Sequence, residues 1–174
     1  MKRVIWVCLA FSLLPALSHA QDTPKADVAV EYSGLYIIKG YTIWMNGGSA
    51  SAAVNVNKWF GVAGDFGGYV GHVPDRFSGE TYMVGPRFSY RKLDRLVPFA
   101  QALFGGSHFS ESTGGITGGG NEFAFALGAG ADLVGRRGRF ALRPQLEYFG
   151  IRSSGATTNS VRLSVGIVYR IGKK

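Results

Sequence analysis

The chain has 174 residues, a length suited to one domain, with 19 basic against 11 acidic side chains, 26 glycines and 13% aromatic residues. Its single cysteine, Cys8, falls in the first apolar run, so the rest of the chain has no disulfide, thiol nucleophile or cysteine metal centre. The basic residues are scattered through turns and strands and not gathered on one helix, which argues against nucleic acid as a partner.

Lys2 and Arg3 precede an almost wholly apolar stretch, Val4 to Leu17, and Ser18-His19-Ala20 has the small-x-small form of a cleavage site. This pattern predicts a secretory signal peptide over residues 1–20, since the run is too short for a membrane helix and a polar segment follows. Cleavage after Ala20 leaves residues 21–174 as one exported domain with 17 basic and 11 acidic residues. An exported chain without disulfides needs another source of cohesion, and a closed hydrogen-bonded sheet supplies it.

Period-two alternation then predicts eight strands in chain order. The first covers about 27–36, with Val28, Val30 and Tyr32 opposite Ala29, Glu31 and Ser33; a loop is expected around 37–45. The second, about 47–57, sets Ala50, Ala52, Val54 and Val56 against Asn55, and Asn57-Lys58-Trp59 forms a short turn. The third, about 60–71, sets Val62, Phe66 and Val70 against Asp65. The fourth, about 81–91, sets Tyr82, Val84, Phe88 and Tyr90 against Arg87, Ser89 and Arg91, with Pro86 on the apolar face. The fifth, about 97–107, is irregular, and its two faces are not distinguishable from Phe99, Gln101 and Leu103 against Ala100, Ala102 and Phe104. The sixth, 122–133, sets Phe123, Phe125, Leu127, Ala129 and Leu133 against Ala124, Ala126, Gly128, Gly130 and Asp132. The seventh, about 139–149, sets Phe140, Leu142, Leu146 and Tyr148 against Arg143, Gln145 and Glu147. The eighth runs to Ile171, with Val161, Leu163, Val165, Ile167, Tyr169 and Ile171 opposite Arg162, Ser164, Gly166 and Arg170; Val168 interrupts the pattern.

Connections after strands two, four and six are short, and those after one, three, five and seven are longer and rich in Gly, Ser and Thr. Tight turns at one end and long loops at the other belong to bacterial membrane barrels. The polar phase is mostly Gly, Ala and Ser with occasional charges, which suits a crowded interior; the bulky phase suits lipid. The predicted fold is therefore all-β, an eight-stranded antiparallel up-and-down transmembrane barrel. A soluble secreted barrel with the opposite polarity, carrying an apolar ligand, is the alternative architecture. Trp59, Phe60, Phe99, Phe140 and Tyr169 are expected near the short-turn boundary, and Tyr36, Trp44, Tyr69, Tyr82, Phe123 and Tyr148 near the other.

A barrel of this size is filled by side chains, so its inward charges must pair. Folding strands three and four about Arg76 predicts Asp65 opposite Arg87, and folding seven and eight about Gly155 predicts Glu147 opposite Arg162. Asp132 reaches Arg143 diagonally, and Glu31 takes Arg170 across the closing seam.

The last strand carries Ser164-x-Gly166-x-x-Tyr169-x-Ile171, which resembles the C-terminal assembly signal of bacterial outer-membrane barrels. Together with the signal peptide, the Trp59-Phe60-Gly61 turn and Pro98-Phe99, it makes the chain resemble the small outer-membrane β-barrel family, of the outer-membrane protein A transmembrane-domain and opacity-protein type. The chain departs from many members in ending with Gly172-Lys173-Lys174, and it has no peptidoglycan-binding domain. The resemblance implies a Gram-negative outer-membrane location amid lipid and lipopolysaccharide, and recognition by the barrel-assembly machinery. It also implies a monomer with a non-enzymatic envelope-structural or adhesive role through outer loops that meet an extracellular ligand.

No catalytic, cofactor or metal site is expected. His108-Phe109-Ser110 resembles the His-x-Ser element of outer-membrane lipid A deacylases, but Glu111 follows where that family has Asn. A triad of His108, Ser110 and Glu122 is the enzymatic alternative. His72, Asp75, His108 and Glu111 have metal-ligand chemistry without metal-ligand spacing. The Gly114–Gly120 run lacks the Lys-Ser/Thr of a phosphate loop.

Overall fold

A computed structural model describes residues 23–39, 41–72, 76–93, 95–113, 116–153 and 156–172. The expected signal peptide and its Ala20 cleavage site lie outside the described residues. The described chain forms eight strands: β1 (Ala26–Lys39), β2 (Tyr41–Asn55), β3 (Phe60–His72), β4 (Arg76–Ser89), β5 (Leu96–Thr113), β6 (Ile116–Val134), β7 (Phe140–Ser153) and β8 (Ala156–Ile171). Each pairs antiparallel with its neighbours, and β1 also pairs with β8, closing the barrel in the order β1 to β8. No sheet edge remains, which answers the need for cohesion without disulfides.

All eight predicted strands are present, but most reach further at the long-loop end. The loop expected around 37–45 is instead a tight hairpin in which Lys39 pairs with Tyr41. Likewise β4 starts at Arg76, β5 runs to Thr113 and β6 starts at Ile116. Once two strands are aligned, each further residue pair satisfies backbone donors and acceptors without a new closure cost. Polar composition marks these segments as solvent-facing and does not stop them pairing. The opposite end keeps true short turns. In the first, Asn57 Oδ1 accepts from the backbone N–H of Trp59 at 2.9 Å and of Phe60 at 2.8 Å, locking the entry to β3.

The polarity is that of a membrane barrel. Val30 is 73% exposed, Ile167 63% and Phe66 56%, whereas Arg162, Glu147 and Arg143 are at most 1% exposed. A soluble carrier barrel has the reverse arrangement. The structure also settles β5: Phe99, Gln101 and Leu103 point inward, and Phe104 outward. Two aromatic expectations are corrected. Phe99 and Tyr69 are buried in the lumen and not placed at a membrane boundary. Each shares its strand parity with a polar inward residue, Gln101 and Asp65 respectively, and alternation overrides aromatic preference. Phe149 and Val168 are likewise inward, which explains the interruption in the last strand.

The lumen is layered. A small apolar layer of Ala29, Val97, Val134, Ala141 and Val168 lies near the short turns. A larger one lies toward the long hairpins and includes Leu35, Met45, Met83, Leu103 and Phe149. The buried charges run from Asp27, at the short-turn end, into the space among these clusters.

Candidate functional site

Alternation places one or more polar side chains from every strand in the same middle layer. Arg143 on β7 is held by Asp132 on β6 through two bonds, Nε to Oδ1 at 2.6 Å and Nη2 to Oδ2 at 3.0 Å. Its Nη2 also donates to Asp27 Oδ1 on β1 at 3.0 Å, and Nη1 to Ser51 Oγ on β2 at 3.5 Å. The same Asp27 oxygen accepts from Arg87 Nη1 on β4 at 3.3 Å. Arg87 Nε donates to Gln101 Oε1 on β5 at 2.8 Å, and Gln101 Nε2 passes the chain to Glu147 Oε1 at 2.9 Å. Glu147 is ion-paired with Arg162 on β8, whose Nη1 donates to Asp65 Oδ1 and to Tyr69 OH on β3, both at 2.7 Å.

The result is one continuous path from Asp132 to Asp65. Aromatic faces cover its cations: the guanidinium carbons of Arg87 and Arg143 lie 4.7 and 4.9 Å from the Phe99 ring centroid, and that of Arg162 lies 5.7 Å from Phe149. A serine cluster extends it, with Ser33 Oγ 2.9 Å from Ser164 Oγ and 3.3 Å from Ser49 Oγ.

Against the sequence-based pairs, the register gives a mixed outcome. Glu147 does oppose Arg162, and Asp132 does bind Arg143; the pairing of Gly130 with Gln145 and Leu133 with Leu142 sets these two directly across, not diagonally. Asp65 does not face Arg87. The β3–β4 hairpin turns two residues earlier than expected, pairing His72 with Arg76, so Asp65 lies opposite Met83 and Arg87 opposite Gly61. Arg170 is outside the network: it sits at the short-turn end opposite Asp27 and makes a 3.5 Å contact with the Gly138 carbonyl. Glu31 instead lies 3.8 Å from Arg143, and neither of its carboxylate oxygens has a hydrogen bond.

Asp27, Tyr69 and Gln101 were not anticipated as members. Asp27 was legible in principle, because it shares the inward phase of Ala29 and Glu31. Gln101 was hidden by the ambiguity of its strand.

The residues of the proposed assembly signal lie on β8. Ser164 and Gly166 face the lumen side, while Tyr169 and Ile171 are exposed on the outer face. Tyr169 packs against Phe140, with ring centroids 5.2 Å apart.

The enzymatic alternative fares worse. His108 Nδ1 is 2.9 Å from Asn121 Oδ1, the residue paired with it in register. Glu122 pairs with Ser107 and so projects from the opposite face of the sheet. Among the described residues no cluster of three or more His, Cys, Asp or Glu side chains forms a metal-binding group. Asp75 and the side chains of His72, Ser110 and Glu111 lie outside the described set.

No family model matches the chain, and no curated protein does. Solved structures do. Neisserial surface protein A superposes with a TM-score of 0.74 at 14% identity, covering 84% of this chain and 97% of that one. The attachment invasion locus protein Ail of Yersinia pestis, in complex with the heparin analogue sucrose octasulfate, gives 0.62 at 18% identity, covering 84% and 97%. The outer-membrane enzyme PagL gives 0.53 at 14% identity, covering 81% and 99%. Closure over eight antiparallel strands, an apolar exterior, an ion-paired interior and these superpositions together establish that the chain has the fold of the small eight-stranded outer-membrane β-barrels.

Proposed function

We propose that the chain is exported, processed after Ala20 and assembled as a monomer in the outer membrane of a Gram-negative bacterium. There it is a non-enzymatic scaffold that displays its four long hairpins to the exterior. Its role is envelope-structural or adhesive, and any extracellular ligand is met by those hairpins. The barrel-assembly machinery reads Ser164, Gly166, Tyr169 and Ile171 at the end of β8.

The observation that carries this reading is the cross-linked lumen. Three buried arginines bridge strands inside the barrel, which suits a rigid support with a lumen filled by side chains. Two neighbours, a surface protein and an attachment protein by name, fit a surface role. The purified barrel in planar bilayers should give no stepwise conductance; stable unitary steps would overturn the sealed scaffold. Cells displaying the protein should lose surface attachment when the β5–β6 hairpin is shortened, and unchanged attachment would leave only the structural role.

PagL, an outer-membrane enzyme, keeps an enzymatic reading as the alternative, and the His108-Phe109-Ser110 resemblance points it to hydrolysis of an outer-leaflet lipid. Against it stands the separation of Glu122 from His108 across the sheet. Loss of lipid A modification on Ser110→Ala would favour the enzyme.

A further inference from the structure

We infer that the short-turn end of the barrel is a binding site for an anionic phospholipid of the periplasmic leaflet, centred on the β4–β5 hairpin. The inference rests on the membrane reading above, in which short turns face the periplasm.

The first observation is charge. Lys25, Lys58, Arg91, Lys92, Arg95, Arg136, Arg137, Arg139 and Arg170 all lie in the short turns or the strand ends beside them. The one acid in the sequence of these turns is Asp94, outside the described residues; Asp27 and Asp132 are buried in the lumen network. At the opposite end the sequence sets Lys39, Arg76 and Arg152 against Asp75, Glu80, Glu111 and Glu122. The positive charge is therefore one-sided, and Lys92, Arg95, Arg136, Arg137 and Arg139 are exposed.

The second observation is a shallow groove between Trp59 and the base of the β4–β5 hairpin. It has a volume of about 360 Å³ and is lined by Trp59, Phe88, Ser89, Tyr90, Pro98, Phe99 and Ala100. Trp59 and Phe88 stack with centroids 5.9 Å apart and planes 13° from parallel, and form one wall. The Tyr90 N–H donates to the Pro98 carbonyl at 2.8 Å, fixing the other wall at the base of the hairpin. Lys92 and Arg95 lie in the turn between Tyr90 and Pro98, within a few residues of both.

A shallow apolar groove whose lining strands lead into a basic turn matches an acyl chain joined to a phosphate. Lysine and arginine near a membrane surface attract anionic headgroups, and aromatic rings favour the same depth. Zwitterionic phospholipid fills the slot equally well but gains less from the cations, because its own cation offsets its phosphate, so the site selects for net negative charge.

Trp59 reports the site directly. In a W44F variant it is the only tryptophan of the processed chain, since the third, Trp6, lies in the expected signal peptide. This variant is reconstituted in phosphatidylcholine vesicles doped with phosphatidylglycerol or phosphatidylcholine, either one brominated near the headgroup. Brominated phosphatidylglycerol should quench Trp59 at least twofold more than brominated phosphatidylcholine at equal mole fraction. Adding K92E/R95E should abolish that preference while quenching by phosphatidylcholine persists. Equal quenching by both lipids, or a preference that survives K92E/R95E, overturns the site. Absence of quenching by either lipid contradicts the membrane reading instead. If W44F impairs folding, seen as loss of heat-modifiable gel migration, native mass spectrometry of the unsubstituted protein and of K92E/R95E replaces it. The expected result is phosphatidylglycerol adducts on the first and none on the second; equal adducts on both overturn the site.

Discussion

Arg162 is the residue on which the interior turns. It is fully buried, it neutralises Glu147 and Asp65, and it donates to Tyr69. Replacing Arg162 with Met strands two buried carboxylates, and breaking such a pair from one side costs about 3–5 kcal/mol. Arg162→Met should lower the unfolding free energy in detergent by that amount, while Arg170→Met, at the barrel's rim, should stay within about 0.5 kcal/mol of the parent. Equal effects would remove the special place of the middle layer. Glu31 makes the opposite case. The described lumen holds five carboxylates, Asp27, Glu31, Asp65, Asp132 and Glu147, against three fully buried arginines, and Glu31 is the one with no hydrogen bond. Glu31→Gln removes a desolvated charge that its surroundings support weakly, so it should leave the midpoint unchanged or raise it. A loss of 2 kcal/mol or so would show that the 3.8 Å contact with Arg143 is a strong pair after all. These partners were only partly legible in advance. Glu147 and Arg162 followed from a correctly centred hairpin, whereas a two-residue error in the β3–β4 turn misdirected Asp65 and Arg87. Register is fixed by turn geometry, and alternation alone does not locate the turn.

At the scale of elements, β8 combines two requirements in one stretch. Gly166 is the inward residue at the crossing with β1, where a Cβ would overlap the Val30 carbonyl and the Glu31 side chain. Overpacking of a filled interior costs about 1–3 kcal/mol, so Gly166→Val should lower stability by that order in refolded protein. Tyr169 is on the outer face, 40% exposed, and contacts Phe140. If it serves assembly, Tyr169→Ser should reduce the amount recovered in the outer membrane several-fold while barely moving the midpoint of the refolded barrel. A matched loss of both would make Tyr169 an ordinary packing residue. The strands themselves were easy to read, because an apolar outer phase of Val, Leu, Phe and Tyr survives in nearly all of them. β5 was the exception, since Phe99 and Leu103 are apolar on the lumen face while Ala100 and Phe104 are apolar on the other. The sequence of the long hairpins resembles loops because Gly, Ser and Thr weaken the alternation where solvent replaces lipid on the outside, yet neighbouring strands still supply the ladder.

For the whole molecule, closure, inverted polarity and charge asymmetry act together. Closure satisfies the backbone where no water is available, and the apolar outer faces of the strands suit lipid. Arginine bridges act beside the apolar lumen clusters in joining opposite walls. Basic side chains gathered at the short-turn end, against a mixed rim at the long hairpins, give the barrel a direction across the membrane. The most direct measurement is gel migration of the outer-membrane fraction before and after boiling. A closed lipid-embedded barrel predicts recovery only with detergent and faster migration of the unboiled protein. Recovery in the aqueous fraction without detergent, with one mobility regardless of heating, would contradict it.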